Sequence, residues 1–271
     1  MSAIRIDEVL EKLQGLPALS SILEELLESF EDENLSIQKL EERIGKDQGL
    51  SAKVLRVANS PFYGFSSKIG SIRQAVVVLG FDSVRSIAVA SGIIDTLSGL
   101  DSRAFWEHGS GTGSCAREIA KRVGLHPEAA FAAGLLHDVG KLVLEMHFTQ
   151  EFGMALEHAR REDCEMIVAE KEVLGIDHCQ VGHAVAARWK FPWAMQVAIR
   201  DHHHPDGEVL TDVVHVANAL CHALAIGNSG YDFVPRISHA AWQRLGLDFA
   251  WLKECFAEVS KKRFPVSSGK E

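Results

Sequence analysis

The chain has 271 residues, 46% of them hydrophobic, enough for one large domain or two small ones. Its net charge of −9 counts against non-specific binding of nucleic acid, which depends on neutralising phosphates with Lys and Arg. Five cysteines, odd in number and without a CxxC pair, suggest neither a disulfide framework nor a zinc knuckle, and no apolar run approaches the ~20 residues of a membrane span.

The opening stretch, MSAIRIDEVLEKLQGLP, has acidic residues where a signal peptide would be uniformly apolar. It reads as an amphipathic start, and a reducing, cytoplasmic compartment is expected. Residues 18–31 place Leu19, Ile22, Leu23, Leu26, Leu27 and Phe30 on one helical face. In LSIQKLEERIGKD, Ser36 is the expected N-cap, with Ile37, Leu40 and Ile44 facing inward. GLSAKVLRVAN follows, with Ser51 as its cap and Val54, Leu55 and Ala58 inside. Pro61, Gly64 and Gly70 mark NSPFYGFSSKIGS as a loop. SIRQAVVVLG and FDSVRSIAVASGIIDTL complete a first helical unit. VVVLG alone could be a strand, but its neighbours are helical and it has no partner, so it is assigned to helix. The polar SGLDSR at 98–103 is the expected boundary between a unit at 1–100 and a second at 101–271.

The second unit should contain helices at 103–123, 127–146, 149–161, 164–173, 177–189, 192–203, 209–226 and 248–260. The expected architecture is all-α, with short connections that let neighbouring helices pack. KKRF at 261–264 is the one basic cluster and reads as a solvated tail.

The 13 histidines are placed unevenly: none precedes His108, so metal chemistry, if any, belongs to the second unit. His108 shares a helical face with Thr112, Cys115 and Ile119, and alone would be an ordinary core histidine. His137 and Asp138 interrupt an apolar helical segment, where both need a metal ion, an ion pair or water to satisfy them. Lys141 lies near the same face, and Gly134 and Gly140 suggest close approach by another helix or a ligand.

Asp177 is the expected N-cap of a helix on which His178, Gly182 and Ala186 share a face. His183 points elsewhere, by about 140° at ~100° per residue. With Cys179 it reads as an ordinary i, i+4 pair, a soft-metal site being the alternative. His202, His203 and His204 end a helix stopped by Pro205, where the helix dipole alone could account for them. His215, Asn218 and His222 form one stripe of a late apolar helix. Together these helices supply several imidazoles and one carboxylate, which is how metal sites are built in bundles.

The blocks LPALSSI, IGKDQGLSAKVLRVANSPFYG, SIRQAVVVLGFDSVRSIAV, FWEHG, FAAGLLHDVGKLVL, EKEVLGIDHCQVG, WKFPWAMQVAIRDHHHP and VVHVANAL, in this order, resemble an HDOD domain. That family is a bacterial signalling module related to the HD phosphohydrolases, with an added N-terminal helical subdomain. The resemblance runs from about residue 16 to about residue 225 and implies an HD-like helical bundle. It also implies metal ligands at His108, His137, Asp138, His178, His202, His203 and Asn218, and a phosphate contact at Lys141. Fe, Mn, Zn or Ni suit such imidazole and carboxylate donors. Asn218 departs from the Asp of the related enzymes, and Ala104 stands where some members carry Glu. Many HDOD members have lost ligands and activity. The reading is therefore a signalling module without turnover, whose partner is a signalling protein or a phosphate-containing small molecule. The alternative is a metal-dependent phosphohydrolase or phosphodiesterase acting on a cyclic dinucleotide or other phosphoester.

Overall fold

A computed structural model describes residues 6–29, 36–59, 63, 65, 67–97, 103–226 and 233–260. Among these the chain is all-α, in sixteen helices with no strand. The first six are α1 (Ile6–Gln14), α2 (Ser21–Glu28), α3 (Ile37–Gly45), α4 (Gln48–Ala58), α5 (Ile72–Leu79) and α6 (Phe81–Leu97). Side-chain oxygens cap the entries to α2 through α5, from Ser20, Ser36, Asp47 and Ser71. Each accepts a backbone N–H that has no partner within its helix.

The cap of α4 is Asp47, not Ser51. An Asp three residues before Leu50 starts the helix earlier than the serine would, and the Ser51 hydroxyl instead donates to the Ile44 carbonyl at 2.8 Å. The run VVVLG is helical, closing α5 at Gly80, whose φ of 90° releases the chain into α6.

The second set is α7 (Arg103–Val123), α8 (Pro127–Leu136), α9 (Val139–His147), α10 (Thr149–Glu162), α11 (Met166–Val173), α12 (His178–Arg188), α13 (Trp193–Asp201), α14 (Val209–Ala223), α15 (His239–Arg244) and α16 (Phe249–Ser260). The segment expected as one helix over 127–146 is broken at His137 and Asp138, which form a turn between α8 and α9. The six-residue α15 is too short to leave a periodic signal and was not expected.

One apolar core runs through the molecule. It joins Leu26, Leu40 and Ile87 from the first helices to Phe131, Leu135, Val143, Val185 and Ile199 around the histidine-bearing ones. A smaller cluster, including Ile119, Val216 and Trp251, packs α7, α14 and α16 together. Apart from Arg103, the expected boundary at 98–103 lies outside the described residues, as do Phe30, Pro61, Gly64 and the KKRF cluster. No described helix is long and apolar enough to cross a membrane.

Candidate metal centre

Two helix crossings without intervening side chains set the positions of the histidines. α7 and α8 meet at Gly113 and Gly134, where a Cβ on Gly134 would lie 2.8 Å from the Gly113 Cα. α9 and α12 meet at Gly140 and Gly182, where a Cβ on Gly140 would stand 2.0 Å from the His178 carbonyl oxygen. The first crossing sets His108 beside the His137–Asp138 turn, and the second sets His178 beside it. At the turn, Asp138 leaves the helical conformation with φ −95° and ψ 15°. The His137 Nδ1–H donates at 2.7 Å to the Gly134 carbonyl, one of the acceptors left over at the end of α8.

Four imidazoles from separate parts of the chain surround the Asp138 carboxylate. His137 Nε2 and His108 Nε2 lie 3.3 and 3.6 Å from Oδ2, and His178 Nε2 and His202 Nε2 lie 3.3 and 3.7 Å from Oδ1. His137, His178 and His202 are 0% exposed and Asp138 3%. Lys141 Nζ pairs with Oδ2 at 2.7 Å. The ring orientations are fixed from behind. His178 Nδ1 meets the fully buried Glu170 Oε2 at 2.5 Å, and that oxygen also accepts the His178 backbone N–H at 2.9 Å. His202 Nδ1 donates to the Ile199 carbonyl at 3.0 Å. Carbonyl and carboxylate oxygens only accept, so each of these rings carries a proton on Nδ1 and turns Nε2 inward.

The result is a concentration of inward-facing acceptors. His178 and His202 bring their Nε2 atoms to 3.4 Å from each other. The buried His108 Nε2, His137 Nε2, His203 Nε2, Asp138 Oδ1 and Asn218 Oδ1 have no hydrogen-bond partner among the described residues. A divalent cation satisfies such a set, since neutral imidazole and carboxylate are metal donors and the outer hydrogen bonds are those that orient metal-bound histidines. The electrostatics agree. Burial, then repulsion from His137, keeps His108 and His202 neutral by holding their pKa values well below the ordinary range. Burial would also raise the Asp138 carboxyl, but the neighbouring His137 and Lys141 outweigh it and hold it well below the usual carboxylate range. His178 is the exception: burial lowers it, yet the adjacent Glu170 more than reverses this and its pKa is raised, so an ion at its Nε2 would displace a proton.

Residues 16–205 match the HDOD domain. The chain belongs to the HDOD family. Over 93% of its length it is similar to an HDOD domain protein of unknown function from Geobacter sulfurreducens, at 29% identity and a TM-score of 0.77, covering 92% of that chain. A Shewanella amazonensis SB2B protein, provisionally described as a phosphohydrolase, matches at 27% identity and a TM-score of 0.71, with 93% of both chains covered. A Marinobacter aquaeolei VT8 protein, provisionally assigned to signal transduction, matches at 26% identity and a TM-score of 0.76, covering 96% of this chain and 60% of that one. The chain spans less than half the length of the curated relatives it matches.

Within this HDOD domain, the residues singled out from sequence fall in two neighbouring groups. His108, His137 and Asp138 form one, and His178, His202 and His203 lie in the other, with ligand atoms within 4.8 Å of one another in each. The His203 ring centroid is 4.5 Å from that of His202, with Nδ1 3.3 Å from Glu165. Asn218 lies buried on α14, one turn before His222, whose ring centroid is 4.8 Å from that of His108. Cys179 and His183 stay one turn apart on α12, and the Cys179 sulfur also faces His202, where α13 packs against the first turn of α12. Sequence reasoning missed Glu170 as part of the centre, and offered Cys179 as a soft-metal ligand only beside His183, not with His178, His202 and His203. The signal for Glu170 was an acidic residue on the buried face of α11, eight residues before His178.

Proposed function

We propose that this HDOD domain is a signalling module that binds a single transition-metal ion at the Asp138 centre and does not turn over a phosphoester. The observation that carries this reading is the set of pinned imidazoles whose Nε2 atoms converge on one carboxylate. Lys141 neutralises Asp138, but among the described residues no hydrogen-bond donor meets the buried His108 Nε2, His137 Nε2 and His203 Nε2, which an ion would satisfy. Hydrolysis needs more. In the resembled enzymes metals lower the pKa of a bound water and clamp the phosphate. Two divalent ions bring four positive charges, whereas Asp138 is the one anion among the carried-over ligands and Asn218 offers only a neutral carbonyl oxygen. Catalytic metal sites also keep an open position, and this centre is buried.

A phosphate-bearing molecule reaching Lys141 would compete for an ammonium already paired with Asp138, and would be held without being cleaved. The likeness to the Marinobacter protein supports a role in signal transduction. Retention of six of the seven ligands, and the likeness to the Shewanella protein, favour the second reading, a metal-dependent phosphohydrolase.

Metal analysis after supplying Fe, Mn, Zn or Ni tests the binding claim. We expect a bound ion that raises Tm, and His202→Ala to lose both the ion and the shift. Protein that stays metal-free under those conditions, with Tm unchanged, refutes it.

A further inference from the structure

We propose that Cys179 is a ligand of the bound ion, which therefore sits among His178, Cys179, His202 and His203 and not beside Asn218. The inference rests on the metal-binding reading above and specifies the donor set and the class of ion.

His178 and Cys179 open α12, so both side chains face the end of α13 where His202 and His203 stand. Cys179 is buried, with Sγ 3.7 Å from His202 Nδ1 and 3.9 Å from Nε2. The ligand atoms of all four residues lie within 4.8 Å of one another. Metal–nitrogen bonds of about 2.0–2.1 Å and a metal–sulfur bond of about 2.3 Å set tetrahedral edges of roughly 3.4 Å for N···N and roughly 3.6 Å for S···N. The observed separations are 3.4 Å between His178 and His202 and 3.9 Å between Cys179 and His202. His203 is held from behind by Glu165, and its buried Nε2 has no hydrogen-bond partner among the described residues.

Charge favours this half of the centre. In the other half Asp138 is neutralised at 2.7 Å by Lys141, and Asn218 brings no charge. A thiolate at Cys179 supplies the anion that Asn218 does not. On loading, the S–H bond breaks, the metal–sulfur bond forms, and the proton leaves to solvent. A nitrogen-and-sulfur set suits zinc and disfavours manganese and magnesium, which prefer oxygen donors.

Cobalt(II) and zinc binding to metal-stripped protein test this. Cobalt should give a thiolate-to-cobalt charge-transfer band in the near ultraviolet. Cys179→Ser should abolish the band and weaken zinc binding by about 100-fold or more. Cys221→Ser is the control, because that sulfur lies 3.6 Å from His108 on the other side of the centre, and it should change neither. A band that survives in Cys179→Ser, or that disappears in Cys221→Ser, overturns the proposal. Should Cys179→Ser not fold, X-ray absorption of the zinc-loaded natural sequence decides: a zinc–sulfur shell at about 2.3 Å supports it, and a shell of nitrogen and oxygen alone overturns it. That last result leaves metal binding intact, whereas failure to bind either ion overturns both readings.

Discussion

Glu170 Oε2 receives two hydrogen bonds from His178, one from the ring and one from the backbone. It sets that ring's tautomer and raises its basicity as a ligand. Glu170→Gln keeps the shape but removes the charge, and should weaken metal binding about 10–100-fold with helicity unchanged. Unchanged affinity by titration would show that Glu170 only fills space. His137→Ala removes a ring whose centroid is 4.8 Å from that of the ligand His202, and should lower metal content less than His202→Ala does, with far-ultraviolet circular dichroism close to that of the natural sequence. Asn218→Asp should admit a second ion in the half that holds His108, His137 and Asp138, read as doubled metal content, with at most a trace of phosphodiester hydrolysis. At this scale the sequence was informative where polar residues interrupt apolar runs, as at His137 and Asp138. It was silent on Glu170 and paired Cys179 only with His183, because their places in the centre depend on α11 and α13 meeting α12 in space.

The elements position the centre through backbone contact. A methyl group on Gly140 would meet the His178 carbonyl at 2.0 Å and the Gly182 nitrogen at 2.6 Å, and neither backbone can yield without moving α12. Gly140→Ala should therefore cost about 1–3 kcal/mol or more through overpacking, seen as a lower denaturation midpoint, and should release the ion. A variant as stable as the natural sequence with full metal content would contradict this account of the crossing. Most helices were legible from period and caps. Asp177 and Gln180 make the reciprocal capping box that starts α12 at His178. The break at His137–Asp138 was not legible, since apolar periodicity runs unbroken through it. It arises from a tertiary demand: the turn brings both side chains to the centre, and the His137 ring bonds back to Gly134.

For the whole molecule, the all-α class and the HD-like bundle could be read from periodicity and motif order. The extent of the shared core could not, because which apolar faces meet depends on helix packing. The centre should also govern stability against pH. In metal-free protein His108, His202 and His203 are held well below the ordinary value of 6.5 by burial first and neighbouring imidazoles second, and His222 falls to about 4, chiefly by burial. The unfolded chain takes up protons there that the folded chain cannot, so stability falls as pH drops through that value. His178 acts in the opposite sense: its raised pKa adds stability that is full below 6.5 and lost as pH rises through its folded value. Four groups outweigh one, and Tm of metal-free protein should fall between about pH 7 and about pH 5; a rise would show that His178 dominates.

The claim that a metal-bearing HDOD domain signals without turnover is tested most directly by assaying hydrolysis of a generic phosphodiester with the metal-loaded chain, beside His137→Ala. The account predicts that both proteins match the protein-free control while the natural sequence holds its ion. Sustained, metal-dependent turnover by the natural sequence, abolished in His137→Ala, would contradict it and make this domain an enzyme.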